Sequence, residues 1–271
     1  MKKIAWATDL HLNFLEQDHL ENVINQFANL PVDGYLLTGD ISEAPVLEAH
    51  LKQFESAVKR PIYFVLGNHD VWHSSFQKVH SEIASLSLKN ENLNWLQSSD
   101  PIFITDKTAI VGADGWYDGG YGDWRHSGIQ MNDWWRVEEF HEFIATSNLQ
   151  GIMSFCAKIA NDCAISASSK LKNAFSRVDH CLFATHIPPW LQISRYRGRE
   201  TDIHAQPYYI SKCMGDMLVN TMGDLPKSKK LEVFAGHTHF EGSAQINSQI
   251  FARVGGAEYY KPTLVDIIEV E

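Results

Sequence analysis

Short apolar runs alternate, over the first third of the chain, with stretches whose apolar positions recur every three to four residues. Residues 4–8, 35–38 and 62–66 read as short buried strands. Between and after them, three sets fall on single helical faces: Leu20, Val23, Ile24 and Phe27; Leu47, Leu51, Phe54 and Val58; Phe76, Val79, Ile83 and Leu86. Asp18 is placed to cap the first helix. Pro31 with Asp33-Gly34 ends that helix, and Arg60-Pro61 ends the second. A βαβαβα alternation of this kind predicts a parallel sheet covered by helices.

The pattern then loosens. Residues 102–105 and 108–112 predict two strands joined by Asp106-Lys107. Around 113–136, Trp116, Tyr117, Tyr121, Trp124, Trp134 and Trp135 sit among glycines and aspartates without a regular period. Residues 152–175 predict a long helix, with Ile152, Phe155, Ile159, Cys163, Ala167 and Leu171 near one face. A buried strand at 180–185 leads into His186-Ile187-Pro188-Pro189. An irregular Arg-containing segment around 190–207 precedes a helix at 210–220. The run Leu231-Glu232-Val233-Phe234-Ala235 reads as another buried strand, and the tail has strand-like runs at 244–246, 250–254 and 264–270. With no repeat, linker or low-complexity segment, 1–271 is expected to be a single domain carrying the two irregular segments.

Composition narrows the function classes. A hydrophobic share of 44% and a charged share of 21% are those of a globular protein. A net charge of −10 argues against a surface for long nucleic acid, whose backbone is bound by clustered Lys and Arg. It leaves small phosphorylated substrates open, because bound metal can invert the local field. Cys156, Cys163, Cys181 and Cys213 show no Cys-x-x-Cys spacing, so reduced, buried thiols are expected rather than disulfides. The apolar run after Met1-Lys2-Lys3 stops at Thr8-Asp9, short of the ~7–15 residues of a signal-peptide core. No stretch approaches the ~18 apolar residues of a membrane span. A cytoplasmic protein without a membrane partner is the expectation; protein partners are not readable.

The polar residues at the ends of these strands carry the chemistry. Asp9 and His11, Asp40, Asn68, His186, and His237 with His239 all lie where parallel sheets place ligands, beyond the carboxyl ends of strands. Imidazole and carboxylate together suit divalent transition metals. Seven such groups exceed the needs of a single ion, and two ions sharing one carboxylate is the economical arrangement. Ions roughly 3.5–4 Å apart clamp the attacking and leaving oxygens of an in-line displacement.

Asp9-x-His11, Gly39-Asp40-x-x-Glu43, Gly67-Asn68-His69-Asp70, His186 and Gly236-His237-x-His239 resemble, in order, the five-block signature of calcineurin-like metallophosphoesterases. The resemblance implies an α/β fold, a four-layer αββα sandwich of two facing mixed sheets flanked by helices, with the tail strands building the second sheet. It implies that Asp9, His11 and His239 hold one ion, that Asn68, His186 and His237 hold the other, and that Asp40 bridges. His69 then matches the histidine that contacts a phosphoryl oxygen or protonates the leaving group, with Asp70 orienting it. Glu43 is expected to support its loop. The sequence departs from the family's protein Ser/Thr phosphatases, having Ala44-Pro45 after the second block and Asp70 ending the third. It also departs from the purple acid phosphatases, having Glu43 where these carry a tyrosine ligand.

The implied activity is hydrolysis of a small phosphomonoester or phosphodiester, nucleotide-like esters included, by attack of metal-bound hydroxide on phosphorus, with Mn, Fe or Zn as metals. A nuclease of the same fold, or a metal-binding scaffold without turnover, are the alternatives. The aromatic stretch 116–135 reads either as a satellite core or as a lid that stacks on substrate. Arg195, Arg197 and Arg199 read as solvated, or as a grip for a second phosphate or carboxylate. The other eight histidines are expected to be ordinary surface or core residues.

Overall fold

The computed structural model describes all residues, 1–271. In chain order its strands are β1 (Lys2–Ala7), β2 (Gly34–Thr38), β3 (Ile62–Val65), β4 (Leu93–Trp95), β5 (Ile102–Phe103), β6 (Thr108–Gly112), β7 (His180–Ala184), β8 (Arg195–Tyr196), β9 (Arg199–Glu200), β10 (Lys230–Ala235), β11 (Gly242–Gln245), β12 (Ile250–Val254) and β13 (Asp266–Val270). The helices are α1 (Gln17–Ala28), α2 (Ala44–Val58), α3 (Phe76–Lys89), α4 (Asp133–Arg136), α5 (His141–Ala145), α6 (Leu149–Phe175), α7 (Gln206–Tyr209) and α8 (Lys212–Gly223).

One sheet has the order β13-β1-β2-β3-β4 and the other β11-β12-β10-β7-β6-β5. In these two sheets the antiparallel pairs are all at edges, β13 on β1 in the first and both β11 on β12 and β5 on β6 in the second; every other pair, the edge pair β3 and β4 included, is parallel. Alternation along the strands explains why two sheets face each other. Ile4 and Trp6 of β1 join Leu182 and Ala184 of β7 and Phe234 of β10 in one cluster between the sheets. Ala5 and Ala7 point the other way, under Leu20, Val23, Phe27, Leu51 and Phe54 of α1 and α2. Cys181 and Phe183 likewise turn outward, against Ala167 and Leu171 of α6 and Leu218 of α8. Strands buried on both faces read as continuous apolar runs, which is why they stand out in the sequence.

Several expectations need correction. Asp18 lies within the first turn of α1 and makes no capping bond; Glu16 holds the N-cap position, also without a side-chain bond. The second sheet is centred on β6, β7 and β10, and the tail contributes only β11 and β12 to it. The last strand, β13, instead lies antiparallel to β1 at the edge of the first sheet, Ile4 opposite Ile268. Its alternation fits either sheet, so local pattern could not assign it. No helix is long and apolar enough to cross a membrane.

Candidate metal centre

The carboxyl ends of β1, β2, β3, β7 and β10 bring all seven predicted ligands to one place. The loops that carry them are unusual. Asp9 (φ 49°), His11 (φ 44°), Asp40 (φ 50°), His237 (φ 69°) and His239 (φ 60°) all occupy the left-handed region. Residues other than glycine rarely adopt that conformation, and it turns the chain sharply enough to aim successive groups inward. Two glycines make room for this. A Cβ on Gly67 would collide with the Asp40 carboxylate, and one on Gly236 with Thr8 and Asp9.

Two groups of donor atoms result. Asp9, His11, Asp40 and His239 present ligand atoms that all lie within 4.8 Å of one another. In that group, His11 Nε2 and His239 Nε2 are 3.2 Å apart, and His239 Nε2 is 3.3 Å from Asp9 Oδ1. The second group surrounds Asn68 Oδ1, which is 3.2 Å from His186 Nε2 and 3.0 Å from His237 Nδ1. Asp40 belongs to both: Oδ2 is 3.8 Å from His11 Nε2, and Oδ1 is 3.4 Å from His186 Nε2. Asp40 thus lies between the two sets.

The outer hydrogen bonds decide which atoms face inward. His186 Nδ1 meets Thr38 O at 2.8 Å and His237 Nε2 meets Tyr208 O at 3.1 Å, so each ring donates there and turns its other nitrogen to the centre. The Asn68 amide nitrogen donates to Asp133 Oδ1 (2.8 Å), which leaves Oδ1 of Asn68 as the inward atom. Acceptors thus converge on acceptors in a buried site, an arrangement that a cation satisfies and that burial alone would penalise. The donor set of imidazole, carboxylate and amide oxygen fits divalent metals.

The acid–base shifts reflect the same crowding. Burial works against ionisation of Asp9, but the His239 imidazole overcomes it and draws the carboxyl down to about 2. Burial pulls His186 down, yet the Asp40 carboxylate more than offsets this and carries the ring up to about 10, so the inward nitrogen takes a proton that a bound cation would displace. Burial, reinforced by His186, drops His237 to about 4.

His69 lies beside the two sets. Its Nε2 is 3.8 Å from Asp40 Oδ2, its ring stacks on Trp72 with centroids 3.4 Å apart, and its Nδ1 has no hydrogen-bond partner. Burial lowers its pKa to about 3 and keeps the imidazole neutral. The expected contact from Asp70 is absent: the Asp70 carboxylate accepts from the backbone N–H groups of Ser42 (2.8 Å) and Gly67 (2.7 Å). Asp70 braces the second and third loops against each other rather than the His69 ring. Glu43 ties down loops as expected, 3.5 Å from His73 and 3.6 Å from Arg136.

The aromatic segment is mostly core. Trp116, Tyr117, Met131 and Trp134 are buried within the cluster under the first sheet, whereas Trp135 is exposed. From this segment comes a residue that pattern reading missed. Asp133 is fully buried and accepts from Asn68, from Trp72 Nε1 (2.7 Å) and from Tyr117 OH (3.1 Å). Nothing in its spacing marks it; only the fold brings it to Asn68. Arg195 and Arg199 line a cleft of about 550 Å³ that also touches Tyr209 and Thr238 and so adjoins His237. Arg197 sits at a hairpin tip, over the Tyr196 ring.

A family profile described as Calcineurin-like phosphoesterase matches residues 2–241. Among solved structures, the chain is similar to a phosphopantetheinyl hydrolase (PptH) from Mycobacterium tuberculosis, at 12% identity and a TM-score of 0.62, over 94% of this chain and 89% of that one. It is similar to a dimetal phosphatase from Danio rerio, at 14% identity and a TM-score of 0.58, over 94% and 87%. The protein TT1561 of Thermus thermophilus shares 13% identity and a TM-score of 0.54, over 94% and 89%. No curated protein matches the sequence.

Proposed function

The chain belongs to the calcineurin-like phosphoesterase family, and from that premise we propose that it hydrolyses small phosphate esters at a centre of two metal ions. The observation that carries this reading is the pair of donor sets joined by Asp40. Asp9, His11, Asp40 and His239 would hold one ion, and Asp40, Asn68, His186 and His237 the other. When bound, the ions supply Lewis acidity toward the phosphoryl oxygens and lower the pKa of the attacking water. Around them the protein's own groups do the rest. Trp72 fixes the plane of the His69 ring, and a neutral imidazole has one N–H to donate to a phosphoryl or leaving oxygen. All the donor residues except His239 are buried, which strengthens every charge interaction among them.

Hydrolysis of a chromogenic phosphomonoester and diester, with Mn²⁺ added, tests the reading. Turnover of either above the blank is expected; a scaffold protein gives none. The His69→Ala variant should retain its metal and lose roughly 100-fold in kcat on an ester with an alkoxide leaving group. Unchanged kcat on that ester removes His69 from catalysis.

A further inference from the structure

Three aromatic rings stand at the edge of the metal centre, where the core does not need them. Tyr259 lies with its ring centroid 4.5 Å from that of His11, 4.7 Å from His239 and 6.4 Å from His69. Phe14 meets Tyr259 edge-on at 5.4 Å and Tyr260 at 5.5 Å. Tyr259 is 41% exposed and Tyr260 60% exposed, so neither is there for burial.

Their backbone is tied to the candidate ligands. Phe14 ends the short turn that follows His11, its N–H donating to His11 O (3.0 Å). The Tyr259 loop is fastened by the Ala257 N–H to His239 O (3.1 Å) and closed by the Lys261 N–H to Glu258 O (3.1 Å). Tyr260 is held at φ 67°, a conformation strained for a bulky residue, and apart from its contact with Phe14 its side chain is largely turned to water. Adjacent exposed rings held in this way beside a reaction centre offer π-faces to a flat group. Such recognition is neutral, and it suits a surface of net charge −10 that would repel further anionic groups.

We propose that Phe14, Tyr259 and Tyr260 form a subsite that stacks on a planar ring in the alcohol part of the ester, so that the substrates are aryl-bearing or nucleoside phosphates. This rests on the phosphoesterase reading above and narrows it to a substrate class.

Phenethyl phosphate and cyclohexylethyl phosphate make the test, because both release a primary alkoxide of similar size and differ in having a flat ring. The Mn²⁺-loaded wild type should favour the phenethyl ester by roughly tenfold in kcat/KM, within the range of one ring stack. Tyr259→Leu should bring that ratio toward one, and Tyr259→Phe, which keeps the ring, should preserve it. Because Tyr259 packs on His11 and His239, metal content is measured for each variant; where Tyr259→Leu loses metal, the ratio for Phe14→Leu decides. A wild type that cleaves both esters without preference overturns the subsite and leaves the phosphoesterase reading intact. Equal loss of the ratio in Tyr259→Phe and Tyr259→Leu also overturns it, pointing to the hydroxyl. A wild type that cleaves neither these esters nor the chromogenic ones defeats both readings.

Discussion

At the scale of single residues, the centre is built from conformations that the chain would avoid elsewhere. Five candidate ligands at positive φ cost on the order of 1 kcal/mol each, a burden that metal binding can offset. For His239 this has a measurable consequence. In metal-free protein, His239→Gly should be more stable toward urea than His239→Ala by about 1 kcal/mol, because only glycine relaxes there. Equal stability of the two variants would show that the strain is not real. Asp133 acts at the same scale through Asn68. Asp133→Leu should weaken one of two Mn²⁺ binding steps by roughly 10–100-fold while sparing the other, as read by calorimetric titration. Unaltered binding would reduce Asp133 to a packing residue. Asp40→Asn, by contrast, should weaken both steps, since Asp40 touches both donor sets.

At the scale of elements, the legible parts are those whose burial is written locally. Leu20, Val23, Ile24 and Phe27, or Leu47, Leu51, Phe54 and Val58, are buried as their spacing predicts. Strand β4 is not legible, because Leu93-Asn94-Trp95 is too short to show a period. The side of the sandwich taken by β13 is not legible either, because pairing is a long-range choice that alternation cannot express. The seven candidate ligands stand out because each follows an apolar strand closely, whereas Asp133 and Tyr259 reach the centre only through folding of irregular segments. Long α6 illustrates a contact of that kind. Its Lys170 donates to Leu96 O (2.6 Å), Gln97 O (3.1 Å) and Gly112 O (2.6 Å), tying the helix to the ends of β4 and β6. Lys170→Met strands those carbonyls and should destabilise the protein by about 2 kcal/mol in urea unfolding. A change within error would mean that water replaces the ammonium at no cost.

At the scale of the molecule, two sheets packed face to face set one row of strand ends beside another, and ligands from both meet only there. Asp9, His11, Asp40 and Asn68 come from the first sheet, His186, His237 and His239 from the second. A cation held between them couples the two halves, so metal should stabilise the whole fold and not merely a loop. Each ion at a hundredfold excess over its Kd adds about 2.7 kcal/mol to unfolding, and chelation should lower Tm accordingly.

The most direct test is release of the chromophore from a phosphate ester by metal-free protein as Mn²⁺ is titrated in. Activity should rise from the blank and level off near two equivalents of bound ion per chain. A plateau at one equivalent would contradict a paired centre joined by Asp40, and a trace that never leaves the blank would contradict the phosphoesterase itself.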